Sequence, residues 1–119
     1  MLRNFRMAFS FLVALTALGC ANEVGNDGDR VGGACVVSGE CYIDSRCLTT
    51  TEWPGGYCAQ SCDSDEGCPD GSVCTEEEGG ICVVSCAGDT ECRSEEGYTC
   101  MELEARGAGG TVMGCAFAE

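Results

Sequence analysis

Residues 62–82 read CDSDEGCPDGSVCTEEEGGIC, which sets four cysteines at C-x5-C-x5-C-x7-C. The same register stands on either side. Upstream, Cys35, Cys41, Cys47 and Cys58 are spaced C-x5-C-x5-C-x10-C; downstream, Cys86, Cys92, Cys100 and Cys115 are spaced C-x5-C-x7-C-x14-C. Three residues join each unit to the next, Ala59-Gln60-Ser61 and Val83-Val84-Ser85. A cysteine register that recurs at intervals of 27 and 24 residues is a disulfide framework in three copies. The expected fold is therefore small, disulfide-rich and mostly coil with short β-hairpins, as three tandem four-cysteine modules (35–58, 62–82 and 86–115) after a cleaved signal helix.

Inside each unit two turn signals recur. The residue three past the first cysteine is Ser38, Asp65 or Asp89, a side chain that can cap a turn by bonding the backbone two residues on. Between the third and fourth cysteines lies a glycine-rich stretch: Trp53-Pro54-Gly55-Gly56, Glu78-Gly79-Gly80 and Gly107-Ala108-Gly109-Gly110. Glycine accepts the positive φ of tight hairpin turns. In the third unit Met101, Leu103 and Ala105 alternate with polar residues before the turn, and Thr111-Val112-Met113 can return. One hairpin per module follows, longest in the third, with no helix outside the signal. Four cysteines allow three pairings. First-to-third with second-to-fourth is the preferred one, because it ties the turn loop and the hairpin together; closing the 13-residue ring from Cys62 to Cys74 stabilises by about 3 kcal/mol in the chain-entropy account.

Such units need covalent help. A module of this size buries too little apolar surface to offset its chain entropy, and past the N-terminal segment the aromatic residues are Trp53, Tyr42, Tyr57, Tyr98 and Phe117. Trp53, beside Pro54 at a turn tip, reads either as a core filler or as an exposed anchor. Disulfides require an oxidising compartment, and the N-terminus offers the route: Arg3 and Arg6 precede an apolar stretch at 7–18, shorter than the roughly 20 residues of a membrane span. A signal peptide at 1–19 is expected.

The thirteenth cysteine has a separate reading. Leu15-Thr16-Ala17-Leu18-Gly19-Cys20 resembles a bacterial lipobox, in which a small residue precedes a cysteine that is lipidated and becomes the new N-terminus. Ala17-Leu18-Gly19 also fits an ordinary small-x-small cleavage site. Lipidation at Cys20 leaves an even twelve cysteines for pairing, and two or more acyl chains anchor stably. Residues 20–34, rich in Gly, Asn and Asp, read as a flexible tether. Ala21 after the acylated cysteine implies, by resemblance to lipoprotein sorting, the outer membrane.

The charge narrows the partners. Without the two signal arginines the chain holds four arginines and twenty carboxylates, a formal −16. That argues strongly against nucleic acid and anionic-lipid binding, which need clustered cations. Asp63, Asp65, Glu66 and Asp70 gather around Cys68 and offer hard oxygen ligands for calcium, but not at EF-hand spacing, and no metal or other cofactor is assigned. Thiolate metal clusters favour C-x2-C or C-x-C spacing, and every gap within a module is five or more. Without histidine, C-x-x-C or Gly-x-Ser-x-Gly, neither thiol redox chemistry nor a nucleophile–base pair of the usual kind is available, so no enzyme and no catalytic residue is expected.

The string from Cys62 to Cys74, followed by Gly79-Gly80-Ile81-Cys82, resembles the modules of cysteine-rich bacterial lipoproteins of delta-proteobacteria. It is similar, more distantly, to the Dickkopf N-terminal and EGF-like cysteine-rich modules of animals. The bacterial resemblance implies a non-catalytic, lipid-anchored protein of the cell envelope, held to the membrane and contacting an unidentified protein or glycan. The alternative is a freely secreted disulfide-rich effector of inhibitor or toxin type.

Overall fold

The structure, a computed structural model, describes residues 23–107 and 109–117. The signal peptide expected at 1–19, and Cys20, lie outside the described residues. Each four-cysteine unit builds one antiparallel hairpin: β1 (Ser45–Leu48) with β2 (Tyr57–Ser61), β3 (Ser72–Thr75) with β4 (Ile81–Val84), and β5 (Tyr98–Glu104) with β6 (Thr111–Phe117). The third is the longest, as the alternation at 101–105 predicts.

In every hairpin the third and fourth cysteines are directly opposed: Cys47 faces Cys58, Cys74 faces Cys82 and Cys100 faces Cys115. Cross-strand partners present their side chains on one face. They are not joined to each other. Each reaches instead to the loop carrying the first two cysteines, giving Cys35–Cys47 and Cys41–Cys58, Cys62–Cys74 and Cys68–Cys82, Cys86–Cys100 and Cys92–Cys115. Two adjacent bridges thus strap that loop across the hairpin face.

The strapped loop makes a single 3-10 turn, at Ser38–Glu40, Asp65–Gly67 and Asp89–Glu91, so the described chain has short helical turns where none was expected. The turn's first residue does more than a local cap. The N–H of Cys47 donates to Ser38 Oγ at 3.0 Å, that of Cys74 to Asp65 Oδ1 at 2.9 Å and that of Cys100 to Asp89 Oδ1 at 2.8 Å. These N–H groups point away from the hairpin partner strand, where an unpaired donor is a liability. One side-chain oxygen per module therefore seals the outer edge of the first strand, a correction to the expected bond two residues on.

The modules do not stand apart. β2 pairs with β4 through Gln60↔Cys82 and Ser61↔Ile81, so two hairpins merge into a four-stranded sheet of order β1-β2-β4-β3. The third hairpin joins by isolated bridges at Thr75↔Ala105 and Ser85↔Gly114. The connectors expected as short links between modules stacked in a rod are continuous with strands, and Ala59 and Val83 are fully buried. A common core explains this: Leu48, Trp53 and Tyr57 from the first module, Ile81 from the second with Val83 and Val84 of the connector after it, and Tyr98, Leu103 and Ala116 from the third hairpin form one cluster. No module holds enough apolar surface alone, and pooling it removes more from water.

The segment expected as a flexible tether is packed from residue 23 onward. Val31 N–H donates to Glu23 O at 2.9 Å, Val31 is buried against Cys62, Cys74 and Cys82, and Gly32 and Gly33 exchange hydrogen bonds with Cys58, each at 2.9 Å. Composition pointed to a linker, but two valines bridged to each other, Val24 and Val31, supply the apolar grip that it lacked.

Two outcomes are expected. Native protein should resist thermolysin at both connectors, whereas denatured, unreduced protein cut there should fall into three fragments, each retaining its own two bridges by mass spectrometry; fragments that remain linked until reduction would contradict the pairing. Asp65→Ala removes the acceptor for Cys74 N–H and should lower unfolding stability by about 1 kcal/mol, read from the denaturant midpoint without reductant.

Candidate functional site

The aromatic residues divide sharply. Trp53 and Tyr57 lie 4.8 Å apart between ring centroids, Tyr57 and Tyr98 5.7 Å, and Tyr98 and Phe117 6.5 Å. These four come from the first and third modules and fill the centre of the body. Trp53 is a core residue rather than an exposed anchor, with its indole N–H on Glu78 Oε2 of the second module at 2.8 Å. Tyr57 accepts the N–H of Val84 at 3.0 Å, and Tyr98 donates to Pro54 O at 2.9 Å. Burial pushes the Tyr98 hydroxyl up to about 12 and Tyr57 higher still.

Against this cluster sits Arg93, buried at 6 % exposure. Its Nη1 donates to Gly32 O and its Nη2 to Pro54 O, both at 3.0 Å, Nε pairs with Glu96, and the guanidinium lies 4.7 Å over the Tyr98 ring. A planar fork with donors on several edges suits this task. Arg93 thereby clasps the N-terminal segment, the first module and the third. Sequence reading passed over it; its place directly after the second cysteine of a unit, with acidic residues following, gave no local sign of burial.

The first module carries the surface that differs from its repeats. Val36, Val37, Tyr42 and Ile43 are exposed, Tyr42 at 54 % and Ile43 at 72 %. The positions matching Val36 and Val37 are Asp63 and Ser64, and Ala87 and Gly88. Tyr42 to Ser45 form a turn closed by Ser45 N–H on Tyr42 O at 2.9 Å, with Asp44 at φ +70°. The equivalent turn in the second module runs from Pro69 to Ser72, closed at 3.1 Å, with Gly71 at φ +95°. There the tip is Asp70; here it is Ile43. A cleft of about 590 Å³ beside this turn is lined by Glu23, Asp29, Arg30, Tyr42, Ile43 and Asp44 among others. Comparing the inter-cysteine loops position by position would have revealed these apolar departures.

Of the carboxylates around Cys68, two are engaged within the fold. Asp65 holds Cys74 N–H, and Asp63 lies 3.7 Å from Arg106 Nε, which also places Nη1 on Glu76 at 2.7 Å. Among the described residues, the triads of possible ligand atoms within 4.8 Å are all cysteine sulfurs of the bridges. Near the second hairpin loop, burial and the charges of Glu78, Glu52 and Glu104 raise the Glu77 carboxyl, whereas the N–H groups of Val36 and Val37 hold Glu40 below its ordinary value. Among the described residues no helix is long and apolar enough to cross a membrane. No family model, curated protein or solved structure matches the chain.

Arg93→Ala strands the buried carbonyl of Gly32 and leaves Glu96 unpaired, while Pro54 O keeps its bond from Tyr98, and should cost about 2–4 kcal/mol of unfolding stability, with Arg93→Lys only partly restoring it. Alkali should act through Tyr57 and Tyr98. Because their folded values lie above the ordinary 10.0, the unfolded chain loses those protons first, so stability is whole below pH 10 and falls as pH rises toward 12. Rapid-mixing ultraviolet absorbance should show these two tyrosinates appearing together with unfolding; independent ionisation in the folded state would contradict it.

Proposed function

We propose that the protein is a non-catalytic, lipid-anchored component of the bacterial cell envelope, presenting a rigid disulfide-stapled body to an extracytoplasmic protein or glycan. One observation carries the reading. All twelve repeat cysteines are bridged to one another, which leaves Cys20 without an intramolecular partner at the one junction that resembles a lipobox. A thioether to diacylglycerol gives that thiol a use. The resemblance of the modules to delta-proteobacterial lipoproteins and Ala21 after the cysteine favour the outer membrane.

The body's properties agree with presentation rather than turnover. Six bridges and a common core hold its surface in one arrangement, so little ordering entropy is lost on binding. Its strongly acidic surface turns away nucleic acid and favours a neutral or basic partner. The second reading, a secreted effector, rests on Ala17-Leu18-Gly19 as an ordinary cleavage site.

Mass spectrometry of the mature N-terminus separates the two. A chain beginning at Cys20 with diacylglyceryl and acyl mass is expected, with globomycin causing the precursor to accumulate. Cys20→Ala should abolish membrane retention. A mature chain that begins elsewhere, or at Cys20 without added mass, overturns the anchored reading in favour of the secreted one.

A further inference from the structure

We propose that Tyr42 and Ile43 are the side chains through which the folded body rests on the lipid surface that carries its anchor. This rests on the anchored reading above, and three observations support it.

The first is where the chain enters the fold. The backbone is fixed from Glu23 onward, by Val31 N–H on Glu23 O at 2.9 Å, and Glu23 lines the same cleft as Tyr42 and Ile43. Cys20 is three residues earlier. At most about 3.6 Å per residue, its Cα lies within about 11 Å of Glu23 Cα. A lipid on Cys20 thus leaves no long leash: the cleft beside Glu23 must lie close to the bilayer interface. The expectation of a 15-residue flexible tether would have left the body's orientation free; the docking of residues 23–34 removes most of that freedom.

The second is what the cleft wall displays. Of the five aromatic residues beyond the signal, four form the central cluster and Tyr42 alone is left outside it. Tyrosine with an apolar neighbour is the composition of a membrane–water boundary, where the ring sits at headgroup level and the hydroxyl stays wet. The matching positions of the second module, Pro69 and Asp70, carry no such pair, and in the third Arg93 turns inward. The second module's turn also borders the chain entry, with Gly71 against Val24, but its tip is Asp70, so of the two turns beside the entry only the first displays an apolar tip.

The third is rigidity and the closing of other uses. Tyr42 N–H is held by Asp29 O at 2.9 Å, Ser45 N–H by Tyr42 O at 2.9 Å, and the adjacent Cys41 is bridged to Cys58. Asp44 takes the left-handed conformation that glycine takes in the second repeat, and Ile43 stands at the apex of the turn it closes. An extended peptide cannot add to the neighbouring edge strand β1 through its outward donors, since the N–H groups of Ser45 and Cys47 are already taken by Tyr42 O and Ser38 Oγ. Glu23, Asp29 and Asp44 around the tip outnumber Arg30, so the surface it suits is zwitterionic rather than anionic. Two side chains bind a bilayer weakly by themselves; the anchor makes the contact intramolecular and so supplies the effective concentration.

The test uses the mature chain from Cys20, oxidised, and coupled through the Cys20 thiol to a maleimide-bearing phosphatidylethanolamine in phosphatidylcholine vesicles with brominated acyl chains. Ile43→Trp places an indole at the tip; Met113→Trp places one at an exposed site on β6 that lines no part of the cleft. Both sites are exposed, and protease resistance verifies that each variant folds. About half of the indole emission added by Ile43→Trp should be quenched, against little for Met113→Trp, with buried Trp53 common to both. Equal quenching of the two, or none at Ile43→Trp, overturns the proposal. Because the lipid is attached chemically, this outcome is independent of whether cells acylate Cys20, which the N-terminal mass decides separately.

Discussion

Each hairpin opposes two cysteines that do not bond to each other, and the remainder of the architecture depends on that choice. A bridge between Cys74 and Cys82 would cross-link a hairpin already held by its ladder, whereas sending each sulfur to the preceding loop fastens a second layer over the strands. Two bridges side by side fix the loop's position as well as its distance. The loop's first turn residue then lies beside the strand edge, where Ser38, Asp65 or Asp89 meets the third cysteine's N–H. Hairpin lengths vary from module to module because nothing in this arrangement depends on them.

Covalent stapling solves the entropy problem of each module but not its exposed apolar face. The hairpins solve that jointly. β4, buried along its whole length, lies between β2 and β3 and touches the third module's hairpin, so the second module is the centre of the body rather than the middle of a string. Arg93 completes the association in a way apolar packing cannot: three of its donors are spent on partners from separate parts of the chain, and the ring of Tyr98 covers one face. A buried cation so satisfied enforces one arrangement of the modules, since a shifted packing would leave it unpaired.

The repeat also gives a standard against which each module can be judged. Where the three copies agree, the residues serve the fold: cysteine register, edge acceptor, positive-φ turn. Where they diverge, the difference lies on the surface or at the contacts between modules. Tyr42 and Ile43 are such a divergence on the outside, Arg93 on the inside, and both follow the second cysteine of their unit. Position in the repeat thus supplies the structural slot, and the individual residue supplies its use.

Cysteine spacing by itself determined that the chain is a small disulfide-rich fold of three hairpin units, and the glycine stretches placed the hairpin turns, because both are local: ring size and backbone φ are properties of short segments. The pairing was only preferred among three from the sequence, and the structure decides it as first-to-third with second-to-fourth in every module. The merging of hairpins into one sheet, the burial of Trp53, the docking of residues 23–34 and the clasp at Arg93 were decided only in the tertiary structure. They arise between segments distant in sequence, where small apolar surfaces too weak to fold alone, and one cation with no local partner but Glu96, find what completes them in another module.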